Sequence, residues 1–578
     1  MFMVTFNRIS AFSIFITVFL FSANTSLAQQ KTYIQLLDQP NQWVDSVYNK
    51  LNKKQRIAQL FFVRAHTNKG KNYEDSVAKV IHNQHLGGLV FFQGGPGRQA
   101  ALINRYQRES KVPLLIAQDG EWGIGMRLDS TLSYPYQMTL GAIQGESLIY
   151  KMGQQIAYDF KRLGMHMNFA PVMDVNNNPD NPVINYRSFG DNKYNVASKG
   201  LAYLKGMQSE GLLTTTKHFP GHGDTNVDSH YDLPLLPFSR QRLDSLEMYP
   251  FKQAIEGGVS GVMIAHMAIP SLDNTKNLPS TLSRKIVTNL LKDSLGFKGL
   301  VVCDAMEMQG VIKYFPDGEA ELRAFMAGND IIELSMNSKV AIHKILKAMR
   351  HHQLPEAEFE AKVKKVLLAK YFAGLNKPQE VNMKNVVADL NRAATKELIE
   401  QLSNAAVTQL RGSARDLQLN PLLRTAIIGV GITNPTAYQN ELRRWYPNST
   451  LFLVNKTTPV EELNRITKSL QEYPQVFVGV HDSRNRPQSK LDYSSAVVQF
   501  VASLTAHENT VMSFFTNPYA MAGIPGIEKA RALLACYQNS EEMQQAAVKA
   551  ITRQINPMGK LPVSINAFFR TGAGQAGL

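Results

Sequence analysis

The feature that most constrains the fold of this chain is a repeated unit between about Ile57 and Met336. In each unit a short apolar run rich in β-branched residues precedes a turn rich in Gly, Pro, Asp or His, and a helical stretch follows. Strands that alternate with helices are typical of parallel βα units. Eight such units over roughly 300 residues predict a (β/α)8 barrel, although a doubly wound open sheet has the same local pattern. The runs are Ile57–Val63, Gly88–Phe92, Pro113–Ala117, His166–Pro171, Leu213–Thr216, Gly261–Ala265, Gly299–Cys303 and Asp330–Leu334.

Polar and ionisable side chains follow the ends of several of these runs. In a barrel of this kind the active site is built by the loops after the carboxyl ends of the strands. The pattern therefore predicts a functional site at that end of the barrel. The residues are Gln118-Asp119, Met173-Asp174, Lys217-His218, His266 and Asp304.

The second half of the chain predicts a smaller α/β domain. Helical periodicity covers Val340–His351, Glu356–Phe372 and Ala393–Leu410, and a polar stretch at 376–385 interrupts it. A second alternating set follows, which predicts an open sheet. Its strands are Thr425–Gly429, Thr450–Val454, Gln475–Val480 and Thr510–Phe515. We therefore predict four parts: a signal peptide at 1–28, the barrel at 29–375, a linker and helix at 376–400, and a C-terminal α/β sandwich domain at 401–570.

The amino terminus has the pattern of a secretory leader. Arg8 precedes an apolar run from Ile9 to Phe21, and Ser26-Leu27-Ala28 forms a small-x-small cleavage site. The run is shorter than the ~20 residues that a membrane-spanning helix needs. Export is therefore expected, with a periplasmic location and no stable membrane insertion.

The net charge of the chain indicates which kinds of molecule it could bind. The formal net charge is +15, and removal of Arg8 with the leader leaves +14. A basic balance favours contact with anionic polymers, but an exported chain without a dense Lys/Arg tract is a poor candidate for a nucleic-acid-binding protein. Cell-wall fragments that carry carboxylates are a better candidate partner, and a basic surface that serves solubility alone is equally compatible.

The densest group of reactive side chains lies in segment 217–230. Pro220 and the neighbouring glycines make a helix unfavourable, so the segment is expected to be a loop after a strand. A metal site is disfavoured, because His218 and His222 lack the helix that their spacing needs and no Glu adjoins them. A structural role is favoured for His222 and Asp224.

A catalytic role is the interpretation that suits Asp228 and His230. In an extended loop two side chains at i and i+2 point to the same side, so the carboxylate is expected to hydrogen-bond one ring nitrogen and leave the other free. A histidine titrates near pH ~6.5, which suits a group that must give and then take a proton.

These residues resemble those of glycoside hydrolase family 3, in particular its bacterial β-N-acetylhexosaminidase branch. The loop Lys217–Gly223 and Asp228-Ser229-His230 match the family pattern without a gap, and Asp119–Gly123 departs from it at Trp122. In the nucleophile segment Val302–Met308, Cys303 stands where serine is usual. Further matches are Ala170–Val175, Arg187–Gly190, Ala265-His266, Pro279–Ser283 and Gly559–Ser564.

The resemblance implies a retaining exo-β-N-acetylhexosaminidase that acts on oligosaccharides or muropeptides and needs no metal or other cofactor. It implies that Asp304 is the nucleophile, that His230 is the acid/base and that Asp228 orients it. Lys217 and Arg187 are expected to favour the ionised form of Asp304. The implied sugar-binding residues are Asp119, Arg127, Arg187, Lys217 and His218. The alternatives are a β-glucosidase or β-xylosidase of the same family, a β-N-acetylglucosaminide phosphorylase, and a non-catalytic sugar-binding envelope protein; the sequence does not predict an oligomeric state.

Overall fold

The computed structural model of the protein describes residues 31–316 and 318–575. The predicted leader at 1–28 lies outside these ranges. Within them no helix is long and apolar enough to cross a membrane.

The first sheet is a nearly closed barrel of eight parallel strands. Its strand order is β7-β6-β5-β4-β3-β2-β1-β8, and Val302 forms a bridge with Ile331 between the two ends. The predicted barrel is therefore confirmed. The strands are β1 Phe61–Ala65, β2 Gly88–Phe91, β3 Leu115–Gln118, β4 Met167–Asn168, β5 Leu213–Phe219, β6 Gly261–Ile264, β7 Leu300–Cys303 and β8 Ile332–Glu333.

Helices surround this barrel and bury the outward faces of its strands. Alternate residues of one strand enter different buried clusters: Val90 belongs to one cluster, whereas Leu89 and Phe91 pack in another. This alternation is the consequence of the two-residue period of a strand. The helices are Tyr33–Leu36, Gln42–Lys50, Lys53–Ala58, Lys71–Gln84, Pro96–Glu109, Gln137–Gly141, Ser147–Arg162, Lys193–Ser209, Arg240–Ser245, Tyr249–Glu256, the π-helical Lys285–Ser294, Gln309–Ile312, Glu319–Ala327, Ser338–Arg350 and Glu356–Phe372.

The second sheet has six strands in the order β11-β10-β12-β13-β14-β9, and only β9 runs antiparallel to its neighbour. The strands are β9 Thr408–Arg411, β10 Thr425–Val430, β11 Ser449–Val454, β12 Gln475–His481, β13 Thr510–Phe515 and β14 Ala532–Ala535. The helices of this half are Val386–Leu390, Ala393–Ala406, Ala414–Leu417, Ala437–Trp445, Val460–Leu470, Ser495–Leu504 and Glu541–Ile551. The predicted smaller α/β domain is confirmed, and strand β14 was not predicted.

Two predicted elements are wrong at their ends. The first apolar run begins in a helix, because Asn52 and Gln55 form a capping box and Ile57 and Ala58 are buried on that helix. The helix predicted to reach Leu410 ends at Ala406, and the next residues form β9. Pairing of β9 with β14, more than a hundred residues away, decides this boundary.

Candidate active site

All eight side chains to which the family resemblance assigns a role line one cavity of about 620 Å³. Its volume is within the range of small-molecule sites in proteins. The cavity opens at the carboxyl ends of the barrel strands. The eight residues are Asp119, Arg127, Arg187, Lys217, His218, Asp228, His230 and Asp304.

Asp304 follows the last residue of β7 and is held by the main chain around it. The Ala305 N–H donates to Asp304 Oδ1 at 2.8 Å, and the Asp304 N–H donates to the Ile264 carbonyl at 3.0 Å. Burial alone raises the pKa of this carboxyl, but the neighbouring His266 and His218 and the Ala305 N–H outweigh burial, so the net pKa lies below its ordinary value. Asp304 is therefore poised as a carboxylate.

The groups that lower the pKa of Asp304 most are not Lys217 and Arg187, to which the sequence-based prediction assigned this effect. Lys217 Nζ lies 2.7 Å from Asp119 Oδ1 and 2.9 Å from Glu121 Oε1, and Arg187 forms a bidentate pair with Glu121. These cations already have carboxylate partners, and they are not among the main groups that lower the pKa of Asp304.

Asp228 and His230 form a local pair at the edge of the cavity. Asp228 Oδ1 accepts the His230 backbone N–H at 2.8 Å and lies 2.7 Å from His230 Nδ1. The hydrogen bond from the ring to Asp228 raises the pKa of His230 above 6.5; burial opposes the shift, and the charges of Asp228 and Asp304 add to it. The side chain of His230 is 62% exposed, so its other ring nitrogen is accessible from the cavity mouth.

A network of ion pairs fills one wall of the cavity. Asp119 accepts from both Lys217 and Arg127, and these two cations hold its pKa well below the usual range against the opposing effect of burial. Glu121 is fully buried, and although burial raises its pKa, Arg187 and Lys217 lower the net value to about 2. Glu121 was not predicted as a site residue, although it stands two residues after Asp119 in the same motif.

Asp174 connects the end of the fourth barrel unit to the His218 loop. Its Oδ2 lies 2.8 Å from His218 Nδ1, and its Oδ1 accepts the His222 backbone N–H at 2.7 Å. The other ring nitrogen of His218 lies 3.5 Å from Arg187 Nη2. Asp174 therefore fixes the ring of His218 toward the ion-pair network.

The structural role predicted for His222 and Asp224 agrees with their contacts. His222 Nδ1 lies 2.8 Å from Thr225 Oγ1 and its Nε2 lies 3.3 Å from Ser229 Oγ, within the same loop. Asp224 pairs with Arg242. Among the described residues, no group of three or more His, Cys, Asp or Glu side chains is arranged to hold a metal ion.

Two further contributions to the cavity were not predicted from the sequence. Arg486, Pro487 and Gln488 reach it from the loop after β12 in the second domain. Glu333, the last residue of β8, also lines it. Neither stands in one of the short motifs on which the family resemblance is based.

Comparison with known proteins supports the resemblance. A model described as the glycosyl hydrolase family 3 N-terminal domain matches residues 53–369. A beta-hexosaminidase A of Pseudoalteromonas piscicida is 32% identical over 366 residues, which is 58% of this chain and 61% of that protein. A beta-N-acetylglucosaminidase/beta-glucosidase of Cellulomonas fimi is 26% identical over 364 residues, which is 61% of this chain and 64% of that protein. The chain thus spans less than two thirds of the length of either relative.

A solved structure is similar over a larger share of the chain. It is a glycoside hydrolase family 3 beta-N-acetylglucosaminidase from Paenibacillus sp. str. FPU-7, with a TM-score of 0.75 and 30% sequence identity. The match covers 89% of this chain and 99% of that one, so the similarity includes both sheets.

Proposed function

The chain belongs to glycosyl hydrolase family 3. We propose that it is a retaining exo-β-N-acetylhexosaminidase that releases terminal N-acetylglucosamine. The observation that carries the proposal is the presence, in one cavity, of the carboxylate of Asp304 and of a histidine held by Asp228. Retaining hydrolysis needs a nucleophile and a separate proton donor on either side of the scissile bond. These two groups have the required chemistry.

In the proposed first step Asp304 attacks the anomeric carbon while protonated His230 donates its proton to the leaving oxygen. A covalent glycosyl-enzyme forms and the aglycone departs. Neutral His230 then removes a proton from water, and the water oxygen displaces Asp304 from the anomeric carbon. Two inversions leave the configuration unchanged. The raised pKa of His230 favours the protonated form that the first step needs.

The ion-pair wall suits a sugar ring. Asp119, Arg127, Arg187, Lys217 and His218 present donors and acceptors with fixed positions, and we propose that they bind the hydroxyl and acetamido groups. Groups fixed by one another need little reorganisation when charge develops at the ring. A cavity of about 620 Å³ takes the end of a chain rather than a long stretch of polymer, which favours release of a terminal sugar.

We further propose that the chain is exported with the leader at 1–28 and acts in the periplasm on oligosaccharides or muropeptides. In this proposal, residues 29–375 carry the catalytic machinery, residues 376–400 link the two domains and residues 401–570 complete the cavity. The net charge of +14 that remains after removal of the leader is compatible with substrates that carry carboxylates.

The test is hydrolysis of p-nitrophenyl N-acetyl-β-glucosaminide by wild-type protein and by Asp304→Asn. The variant removes the nucleophile with little change in shape, so we expect kcat to fall at least about a thousandfold with an unchanged unfolding temperature. Asp293→Asn, which changes an exposed carboxyl on the helix before β7, should keep full activity. Near-normal turnover by Asp304→Asn would exclude this residue as nucleophile.

The same assay separates the rival activities. Faster turnover of the β-glucoside or β-xyloside would assign a glucosidase or xylosidase. Formation of a glycosyl phosphate in phosphate buffer would assign a phosphorylase, for which the histidine acid/base leaves one negative charge fewer to repel phosphate. Absence of turnover on every substrate would indicate a sugar-binding protein.

A further inference from the structure

Glu333 is a buried carboxyl in the cavity with no assigned task. It ends β8, opposite Phe62 of β1, and only 3% of the residue is exposed. Its main chain is held on both sides: the Glu333 N–H contacts Cys303 Sγ at 3.1 Å, and its carbonyl accepts the Met306 N–H at 3.0 Å. Its Oε2 has no hydrogen-bond partner in the described part of the chain.

The surroundings of Glu333 favour the neutral acid. Burial raises the pKa of this carboxyl well above its usual range, and the negative charges of Asp119 and Asp304 raise it further. Lys217 and Arg64 oppose this shift, but both cations have other partners. Lys217 pairs with Asp119 and Glu121, and Arg64 pairs with Glu307.

A neutral carboxyl carries one O–H donor and keeps acceptor capacity. A buried polar atom without a partner is costly and calls for an explanation, such as a ligand that completes its hydrogen bonds. In the described part of the chain, neither Asp304 nor Asp119 accepts a hydrogen bond from Glu333. All three residues line the same cavity. Because Glu333 lines this cavity, a bound ligand is the partner to consider for its carboxyl group.

We propose that Glu333 is a substrate-binding residue that donates a hydrogen bond from its neutral carboxyl to a hydroxyl group of the terminal sugar. This inference rests on the proposed glycosidase function and adds a contact to it. A neutral donor suits this position, because a third carboxylate beside Asp304 and Asp119 would repel both, whereas a sugar hydroxyl accepts from the acid without any change of charge.

The experiment is a cycle that pairs enzyme variants with substrate variants. Glu333→Leu keeps the approximate size and removes the donor, and Glu333→Gln keeps a neutral donor. Each is assayed for kcat/KM on p-nitrophenyl N-acetyl-β-glucosaminide and on its 3-, 4- and 6-deoxy analogues. Asp293→Asn is the matched control with a distant carboxyl changed.

We expect Glu333→Leu to lower kcat/KM on the parent substrate about 3- to 10-fold, the usual range for one neutral hydrogen bond, and Glu333→Gln to stay within threefold of wild type. One deoxy analogue should cost the wild type a similar factor and should cost Glu333→Leu nothing more, because the contact is then already absent. Thermal unfolding of Glu333→Leu should be unchanged or higher, since an unpartnered buried polar group is removed.

The inference and the proposed function can fail separately. If the wild type hydrolyses the parent substrate but the effects of Glu333→Leu and of every deoxy analogue simply multiply, Glu333 does not contact a hydroxyl and the inference is overturned. An equal loss of activity in Glu333→Gln and Glu333→Leu would also overturn it. If Glu333→Leu does not fold, the inference is overturned when the effects of Glu333→Gln and of every deoxy analogue on kcat/KM multiply. No turnover by the wild type rejects the proposed function itself, and with it the contact.

Discussion

Among single residues, Asp228 and His230 illustrate how local geometry prepares a proton-transfer group. One carboxylate oxygen accepts from both the backbone and the ring of His230, and the Asp228 carbonyl accepts the Tyr231 N–H at 2.9 Å. Such local side-chain-to-backbone bonds are typical of Asp in turns. The ring is thus oriented by a residue two positions away and needs no distant partner.

The pH dependence of kcat/KM should report this pair. Asp228 raises the pKa of His230, so Asp228→Asn should lower that pKa. Since the first step needs protonated His230, activity on substrates with poor leaving groups should fall as the pH rises through the pKa of His230. In Asp228→Asn the fall should begin at a lower pH.

The measurement is a pH series of kcat/KM for an oligosaccharide and for the p-nitrophenyl glycoside. The nitrophenolate leaves readily without a proton, so its profile should move less than that of the oligosaccharide. Identical shifts for both substrates would argue against the acid role of His230. The control is Asp232→Asn, because Asp232 pairs with Lys313 and not with His230.

Among the secondary-structure elements, β8 and two helices meet at a buried charge cluster away from the cavity. Asp330, just before β8, accepts the Val301 N–H at 2.9 Å and lies 3.1 Å from Lys365 Nζ and 3.5 Å from Lys292 Nζ. Burial raises the pKa of Asp330, but Lys292, Lys365 and Lys362 lower it to about 2. Through Lys292 and Lys365, the cluster joins helices Lys285–Ser294 and Glu356–Phe372 to the barrel.

Asp330→Ala should destabilise the protein by about 3–5 kcal/mol, because it leaves buried lysines without their counter-charge. Urea or thermal unfolding measures the change. Asp38→Ala, which breaks an exposed pair with Lys298, should cost at most about 1 kcal/mol. Equal effects of the two variants would contradict the role assigned to the cluster.

The same cluster gives the sign of one pH effect on stability. The folded-state pKa of Asp330 lies below its ordinary value of 3.8. Its contribution to the free energy of unfolding is therefore fully present above pH 3.8 and is lost as the pH falls toward about 2. Asp330→Ala should therefore flatten the acid side of the stability curve relative to wild type.

At the scale of the whole molecule, the second domain contacts the loops that form the cavity. Tyr136 donates to the Asn485 carbonyl at 2.7 Å, and Asp191 accepts from Ser564 N–H at 2.9 Å and from Thr571 Oγ1 at 2.6 Å. Asn517 also donates to Asn185. The Tyr136–Asn485 contact holds the chain just before the 486–488 loop against the barrel, and the other contacts join the two domains elsewhere.

Arg486→Ala should raise KM about 3- to 10-fold with little change in kcat, because it removes a cavity-lining cation that does not take part in bond breaking. The unfolding temperature should stay constant. Arg465→Ala removes the same charge from an exposed position on helix Val460–Leu470 and should leave KM unchanged. An equal rise in both variants would indicate a general effect of charge and not a contact with the substrate.

The alternation of strands and helices predicted parallel βα units, because each strand and its helix are set by short-range periodicity, and parallel strands place their carboxyl ends at one face. An open sheet has the same local pattern, so tertiary pairing of the first and last strands decided that the sheet closes into a barrel. The Asp228–His230 pair could also be predicted from the sequence, since its geometry depends on two residues that are two positions apart. Tertiary structure alone decided that Glu333 is buried and that Lys217 and Arg187 pair with other carboxylates. It also decided that the helix gives way to a strand at Thr408 and that Arg486 of the second domain lines the cavity. Each of these depends on contacts between residues far apart along the chain, and local sequence does not carry that information.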